Sequence, residues 1–220
     1  FLTIPELGDS RTYARQLAPI AARALTAGKR TIYAVCTDGT VRASGTNTYG
    51  QLDVNEWRGI IDVAAGERHS VGLRADGTVT AAGDNLYGQC DVGDWRDIVM
   101  VAAGPYHTVG VRADGTVVAT GDNVFGQCDL SEASDVIAVS TSERHTVVLR
   151  SDGTAASFGS EENEQHVLAS YTGIVAVLAT DSEYSILLKN TGTMTVVGNN
   201  NPFAAASSWN QIGLPAVHPQ

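Results

Sequence analysis

Four short acidic motifs, each reading Asp-Gly-Thr, are the first residues of this sequence whose types are suited to chemistry. They begin at Asp38, Asp76, Asp114 and Asp152, so the step between them is always 38 residues. Aspartic proteases bring two such carboxylates together to share a proton. Four copies at equal intervals do not converge on one another, whereas Asp-Gly between two alternating segments is typical of a tight β-hairpin turn. We therefore interpret the motifs as structural turns.

Three histidines keep the same step and suggest a ring of metal ligands. They are His69, His107 and His145. Equivalent residues on sheets packed face to face are separated by about 10 Å, whereas zinc needs all its ligands at about 2 Å. The histidines are therefore interpreted as hydrogen-bonded structural residues at strand starts, and the sequence predicts neither a metal site nor a cofactor.

The segments "GDNLYGQCD" and "GDNVFGQCD" hold acids and amides that suggest a calcium site. They lack the closely alternating carboxylates of a calcium loop, so turn capping explains them better. No GxSxG, HExxH, GxGxxG or P-loop motif occurs. We assign no catalytic residue and predict that the chain is not an enzyme. The alternative left open is a hydrolase or lyase whose site is assembled from several repeats in a central channel.

The charge composition argues against a nucleic-acid partner. The 220 residues include 24 acidic and 14 basic side chains, a formal net charge of −10, and nucleic-acid binding normally needs the opposite sign or a dense basic stripe. No apolar run is long enough to cross a membrane, and no signal peptide opens the sequence. Cytoplasmic and secreted locations are both compatible with the sequence. The three cysteines show no metal-ligand spacing, and a shared packing position explains Cys90 and Cys128 better than a disulfide.

The elements that carry these motifs form a repeat. Glycines, histidines, Gly-Asn pairs and Gly-Gln pairs all recur at the 38-residue step, and a fifth, degenerate copy is shifted by one inserted residue. Hydrophobic residues alternate with a period of two, which predicts three to four short strands in each unit, the last one after Gly-Gln. One such sheet cannot bury both faces alone, so the units must pack on one another. We predict an all-β chain, a β-propeller with blades of about 38 residues.

The predicted organisation has three parts. Residues 1–21 form an N-terminal segment, partly helical over about 9–18 with Asp9 or Ser10 as the cap. Residues 22–209 form five recognisable blades, with approximate bounds 22–58, 59–96, 97–134, 135–172 and 173–209. Residues 210–220 form a further strand that closes the ring in a composite blade with the N-terminal residues. The alternative is an incomplete ring that needs blades from outside this chain and permits self-association.

Two segments carry a family resemblance. "VAAGERHSVGLRADGTVTAAGDNLYGQCD" (Val63–Asp91) and "VAAGPYHTVGVRADGTVVATGDNVFGQCD" (Val101–Asp129) resemble the short bacterial form of regulator of chromosome condensation repeats. The resemblance implies a propeller that binds proteins. Some members exchange guanine nucleotides on small GTPases, and some secreted bacterial members inhibit β-lactamase. The family commonly has seven blades, whereas five repeats are recognised here, and Thr31 replaces the histidine in the first.

Binding residues are expected where the repeat varies. The two residues before each histidine position change from blade to blade, and repeat proteins build recognition surfaces from such loops. The predicted binding residues are Arg30, Arg68, Tyr106, Arg144 and Glu183. By contrast, the regular aromatic residues Tyr49, Tyr87 and Phe125 are expected to pack between blades. The sequence therefore predicts a non-catalytic module that presents one loop face to a protein of unknown identity.

Overall fold

The structure is a computed structural model that describes residues 25–160, 165–180, 184–198, 206 and 209–212. Within these residues, five antiparallel sheets of three strands follow one another along the chain, and the strands of each sheet are neighbours in sequence order. The predicted all-β class is therefore confirmed. The predicted N-terminal helix, and all but three residues of the predicted strand at 210–220, lie outside the described residues.

The strand bounds repeat with the sequence. The first sheet contains β1 (Leu25–Ala27), β2 (Thr31–Val35) and β3 (Val41–Gly45), and the second β4 (Ile60–Ala65), β5 (His69–Arg74) and β6 (Val79–Gly83). The third contains β7 (Ile98–Ala103), β8 (His107–Arg112) and β9 (Val117–Gly121), and the fourth β10 (Val136–Thr141), β11 (His145–Arg150) and β12 (Ala155–Gly159). A 3-10 helix (Gln165–Ser170) precedes the fifth, which contains β13 (Ile174–Ala179), β14 (Ser185–Lys189) and β15 (Met194–Val197).

The Asp-Gly-Thr motifs are hairpin turns. In the turn between β5 and β6, the Asp76 carboxylate accepts hydrogen bonds from the Thr78 backbone N–H at 2.9 Å and from its hydroxyl at 2.6 Å. Gly77 has φ +78°, a value that glycine adopts without strain. The hydrogen bonds from Thr78 lower the pKa of Asp76 below its usual value. The same bonds recur in the other three copies, so the turn interpretation is confirmed.

The segment after each Gly-Gln pair is a turn and contains no strand, so the expected fourth strand is wrong. The first blade shows the reason. There the buried Gln51 side chain accepts a hydrogen bond from the Tyr49 backbone N–H at 2.9 Å. This side-chain bond takes the place of a strand ladder, and residues 51–58 form no strand. Val54 and Trp57 on the same segment are buried in the core.

Large side chains of one blade fit against glycines of the next. The ring of Trp57 lies against Gly72, where an added Cβ would come within 2.7 Å of it. Trp95 lies against Gly110 in the same way, at 2.8 Å. Because a tryptophan ring and a Cβ cannot share this space, glycine in the central strand lets successive sheets pack closely.

Each new blade begins with one repeated geometry. The residue before the first strand has a positive φ, 59° at Asp97 and 55° at Asp135. The next backbone N–H then binds the hairpin turn of the preceding blade, as Ile98 does to the carbonyl of Gly77 at 3.0 Å. This bond fixes how far each sheet is displaced from the one before it.

The cysteines occupy packing positions, as predicted. All three are free and partly buried. The thiols of Cys90 and Cys128 donate to backbone carbonyls of Asp84 and Asp122, each at 3.3 Å. Burial, with smaller contributions from nearby aspartates, raises the pKa of Cys90 to about 11 and that of Cys128 to about 12. None of the helical residues in the described part of the chain forms a segment long and apolar enough to span a membrane.

Candidate functional site

The three repeated histidines are buried and begin the central strands. His69, His107 and His145 are each about 1% exposed or less. Burial lowers the pKa of His107 to about 3 and those of His69 and His145 to about 4. A buried imidazole therefore stays neutral at physiological pH, because charging it would require removing the cation from water.

Each histidine binds the next blade through a hydroxyl group. His107 Nε2 lies 2.9 Å from the hydroxyl oxygen of Thr146, and that hydroxyl donates to the carbonyl of Gln127 at 2.9 Å. The threonine has one proton and gives it to the carbonyl, so His107 Nε2 carries the proton that it shares with the threonine oxygen. His69 and Thr108 form the equivalent pair at 2.9 Å. The prediction of structural, hydrogen-bonded histidines is confirmed.

The fourth blade varies this arrangement. Ser142 takes the place of the glycine that precedes the other two histidines, and its hydroxyl lies 2.6 Å from Nδ1 of His145. The corresponding Nδ1 atoms of His69 and His107 are buried and have no hydrogen-bond partner among the described residues. Within the same described part, no three His, Cys, Asp or Glu side chains form a group suited to a metal ion.

The residues immediately before the histidines form a ladder with aromatic residues of the preceding blade. The guanidinium carbon of Arg68 lies 4.7 Å from the ring centroid of Tyr49. That of Arg144 lies 4.9 Å from the ring centroid of Phe125. Between these two pairs, the rings of Tyr87 and Tyr106 are 5.6 Å apart and tilted by 59°. We call these three pairs, Tyr49–Arg68, Tyr87–Tyr106 and Phe125–Arg144, the loop-face ladder.

The loop-face ladder is accessible and carries exposed aliphatic side chains. Leu86 and Val124, which precede its aromatic residues, are each 79% exposed. Nearby, Lys29 and Glu67 form an ion pair at 3.2 Å across the first two blades. Partial burial, followed by the charge of Glu67, raises the pKa of Tyr106. The face thus combines exposed aromatic and aliphatic groups with arginines and acids.

The aromatic turns that carry the loop-face ladder are held by their own side chains. Asn85 donates from its amide nitrogen to Asp91 at 2.9 Å, and its amide oxygen accepts from the Cys90 backbone at 2.7 Å. The backbone N–H of Tyr87 binds the side chain of Gln89 at 2.9 Å. Hydrogen bonds from the turn's own side chains therefore hold its backbone.

The structure brings together two residue sets that the sequence treated separately. Arg68, Tyr106 and Arg144 were expected to bind, and the aromatic residues to pack between blades, yet they touch pairwise and share one surface. Their constant 19-residue offset was a signal for this pairing that the sequence reasoning missed. The Arg30 side chain is exposed on the first blade. Glu183 lies outside the described residues.

Comparison with known proteins supports the repeat type. The sequence model of the Regulator of chromosome condensation (RCC1) repeat matches residues 60–89 and 98–127. These segments lie within the second and third blades and overlap the residues that carried the resemblance. No curated protein sequence matches this chain.

Solved structures share the fold. Prp20p from Saccharomyces cerevisiae is 19% identical with a TM-score of 0.67, over 83% of this chain and 59% of that protein. The ectodomain of the receptor kinase CR4 from Physcomitrella patens is 19% identical with a TM-score of 0.65, over 81% of this chain and 52% of that protein. Human WBSCR16 is 19% identical with a TM-score of 0.62, over 79% of this chain and 61% of that protein. This chain thus spans less than two thirds of each. The predicted β-propeller fold is confirmed, and the sequence match to the repeat is limited to the second and third blades.

Proposed function

We propose that this chain, a β-propeller of regulator of chromosome condensation repeats, is a non-catalytic module that binds a partner protein through the loop-face ladder. The observation that carries the proposal is the line of three side-chain pairs across four blades, two of them arginine on an aromatic ring and one a tilted pair of tyrosines. Arginine and tyrosine are enriched among the residues that dominate protein–protein binding energy. The propeller presents them at fixed intervals on one face.

The loop-face ladder is arranged in advance, which favours affinity. A flexible side chain loses about 0.5–1.5 kcal/mol of conformational freedom when a partner immobilises it. Arg68 and Arg144 already stack on aromatic rings, and the turns beneath those rings are held by amide side chains. Much of the ordering cost has therefore been met by folding, and exposed Leu86 and Val124 add apolar surface for a partner to cover.

Structural roles account for the repeat's other chemical groups, which supports a binding role over catalysis. His107 shares its Nε2 proton with Thr146, and its low pKa makes it a poor base at neutral pH. Asp76 and its equivalents hold hairpin turns at the other end of the strands. The rings of Tyr49, Tyr87 and Phe125 on the loop-face ladder are exposed, and the residues that contact them change in type from blade to blade.

Guanine-nucleotide exchange and enzyme inhibition are finer alternatives that use the same face. The structure of Prp20p was described together with its binding to Gsp1p and histones, and this shows that one protein of this fold binds other proteins. Identification of the partner, rather than mutation of the face, separates them.

The test is affinity capture with two matched triple variants. Arg68→Ala, Tyr106→Ala and Arg144→Ala remove three members of the loop-face ladder. The control replaces Arg74, Arg112 and Arg150 by alanine, which removes three partly exposed arginines at the hairpin ends of the same blades. Quantitative mass spectrometry of proteins captured from a lysate of the source organism should show a partner that the ladder variant loses and the control retains.

Folding must be checked for both variants. Each should keep the circular dichroism spectrum and a melting temperature close to that of the unchanged chain, because both sets of side chains are partly exposed and lie outside the core. If every captured protein binds the ladder variant as well as it binds the control, the loop-face ladder is not the binding surface.

A further inference from the structure

Ala206 and residues 209–212 repeat the geometry with which the earlier blades begin. The backbone N–H of Trp209 binds the carbonyl of Ala206 at 3.0 Å, as that of Trp57 binds Val54 at 3.0 Å. Gln211 has φ 59°, equal to that of Asp97, which begins the third blade. These two features lie four and three repeats away from their counterparts, respectively.

The next bond completes the correspondence. The backbone N–H of Ile212 donates to the carbonyl of Gly192, in the hairpin turn of the fifth blade, at 3.0 Å. Ile98 and Val136 make the same bond to Gly77 and Gly115, each at 3.0 Å, where the third and fourth blades begin. Ile212 therefore has the backbone bond with which the third and fourth blades begin.

Trp209 differs from its counterparts in exposure. Trp57 is 5% and Trp95 8% exposed, because each lies against a glycine in the central strand of the next blade. Trp209 is 58% exposed. The indole thus stands at the position of a blade–blade contact, and no such strand covers it among the described residues.

We propose that Ala206 and residues 209–212 form a docking edge for a further three-stranded blade, whose central strand places a glycine against the indole of Trp209. The blade–blade interface that buries Trp57 and Trp95 continues through this edge with the same backbone bonds. The partner surface is therefore a sheet of the same repeat type. This docking edge is separate from the loop-face ladder and does not depend on its function.

The first blade is a poor occupant for this edge. Ala34 stands where Gly72 and Gly110 stand in their sheets, and a Cβ at those glycines would lie within 2.8 Å of the tryptophan ring. The first blade also exposes 61% of Ile32, which replaces the buried hydroxyl residue Ser70 of the next blade. Direct closure of a five-bladed ring would place the first blade on the docking edge, and so would head-to-tail packing of a second copy. In both arrangements Ala34, not a glycine, would face the indole of Trp209.

The other end of the arc is also open, which agrees with a ring of more than five blades. Leu25 is 74% exposed beside Ile32, and both line a mostly apolar cavity of about 420 Å³ on the first sheet. The corresponding Val63 of the second blade is buried at 2% exposure. Additional blades placed at the docking edge would lead the ring towards this face.

The test grafts a blade of known sequence onto the docking edge. A copy of residues 60–92 replaces residues 212–220, so that the copied Ile60 takes the position of Ile212. The matched control carries Gly72→Leu in the copied segment only, which fills the space required by the indole. Both chains and the unchanged full chain are labelled with 5-fluorotryptophan; the copied segment adds no tryptophan.

Fluorine NMR reports the exposure of each indole through the shift between H2O and D2O, and Trp209→Phe assigns the relevant resonance. The graft should reduce the Trp209 solvent shift to the level of Trp57 and Trp95 and raise the melting temperature, whereas the Gly72→Leu graft should do neither. The proposal is overturned if Trp209 stays solvent-exposed in the graft, whether or not the added segment folds. It is also overturned if the unchanged chain buries Trp209 as its concentration and sedimentation mass rise, because a second copy would then be the occupant.

Discussion

Acidification from pH 7 to pH 5 should destabilise this propeller through its buried histidines. His69, His107 and His145 have pKa values lowered by burial to about 4, 3 and 4, whereas an unfolded histidine titrates near 6.5. As the pH falls below 6.5, the unfolded chain takes up protons that the folded chain does not bind. The stability is thus fully present above the unfolded pKa and is lost as pH falls towards the folded values.

The magnitude follows from the width of that window. At pH 5 an unfolded histidine with pKa 6.5 is almost fully protonated, while the folded one is almost fully neutral, so each site costs about 2 kcal/mol relative to pH 7. Three sites together cost about 6 kcal/mol, a large part of the 5–15 kcal/mol that is typical of a folded domain. The carboxylates of Asp38, Asp76, Asp114 and Asp152 also have lowered pKa values, but their contribution is lost only below about pH 4.

Urea unfolding at pH 7, 6 and 5 measures the effect. With a denaturant slope of about 3 kcal/mol/M, the midpoint should fall by about 2 M between pH 7 and pH 5. His107→Gln should lower stability at pH 7 and should also reduce the pH-dependent loss by about a third. A free energy of unfolding that is the same at pH 7 and pH 5, or a variant with an unchanged pH-dependent loss, would refute the assignment of these histidines as buried neutral residues.

Two further predictions concern packing positions. Gly110→Ala places a methyl group 2.8 Å from the ring of Trp95 and should lower the free energy of unfolding by about 1–3 kcal/mol in thermal unfolding. The control Gly93→Ala has open space around it and should change that free energy by less than about 0.5 kcal/mol. Equal effects of the two substitutions would show that the indole does not fill this space. Cys90 and Cys128, with pKa values of about 11 and 12, should hold at least about 100-fold less thiolate at pH 8 than an ordinary cysteine. Mass spectrometry should therefore detect slow iodoacetamide labelling in the folded chain and fast labelling in urea, and equal rates would contradict the burial.

The sequence predicted those features whose causes are local. Asp-Gly-Thr is a turn because its own carboxylate binds the threonine two residues later, a contact that needs no other part of the chain. The strand after Gly-Gln was predicted from the expected four-stranded blade, and it was wrong because the Gln51 side chain satisfies a backbone N–H that a ladder would otherwise use. The alternation of hydrophobic residues does not show when a side chain, rather than a neighbouring strand, accepts a backbone hydrogen bond.

The pairing within the loop-face ladder was harder to predict because it depends on geometry between blades. Tyr49 and Arg68 are separated by a whole connecting segment and the first strand of the next sheet. Whether they touch depends on how far the second sheet is displaced, and that displacement is set by buried bonds such as the one from Ile60 to Gly39 at 2.9 Å. The constant 19-residue spacing shows that each aromatic residue has the same relation to its partner in every blade. It does not give the distance between their side chains.

The position of the loop-face ladder above the histidines explains how its residues can vary while the blade stays the same. The backbone carbonyl of Arg68 accepts the Asp84 N–H at 2.9 Å, and Tyr106 accepts that of Asp122 at 2.9 Å, so the main chain before each histidine is fixed without help from its side chain. The next residue, His69 or His107, then binds the following blade through a threonine. Arginine and tyrosine can therefore exchange at these positions with little cost to the fold.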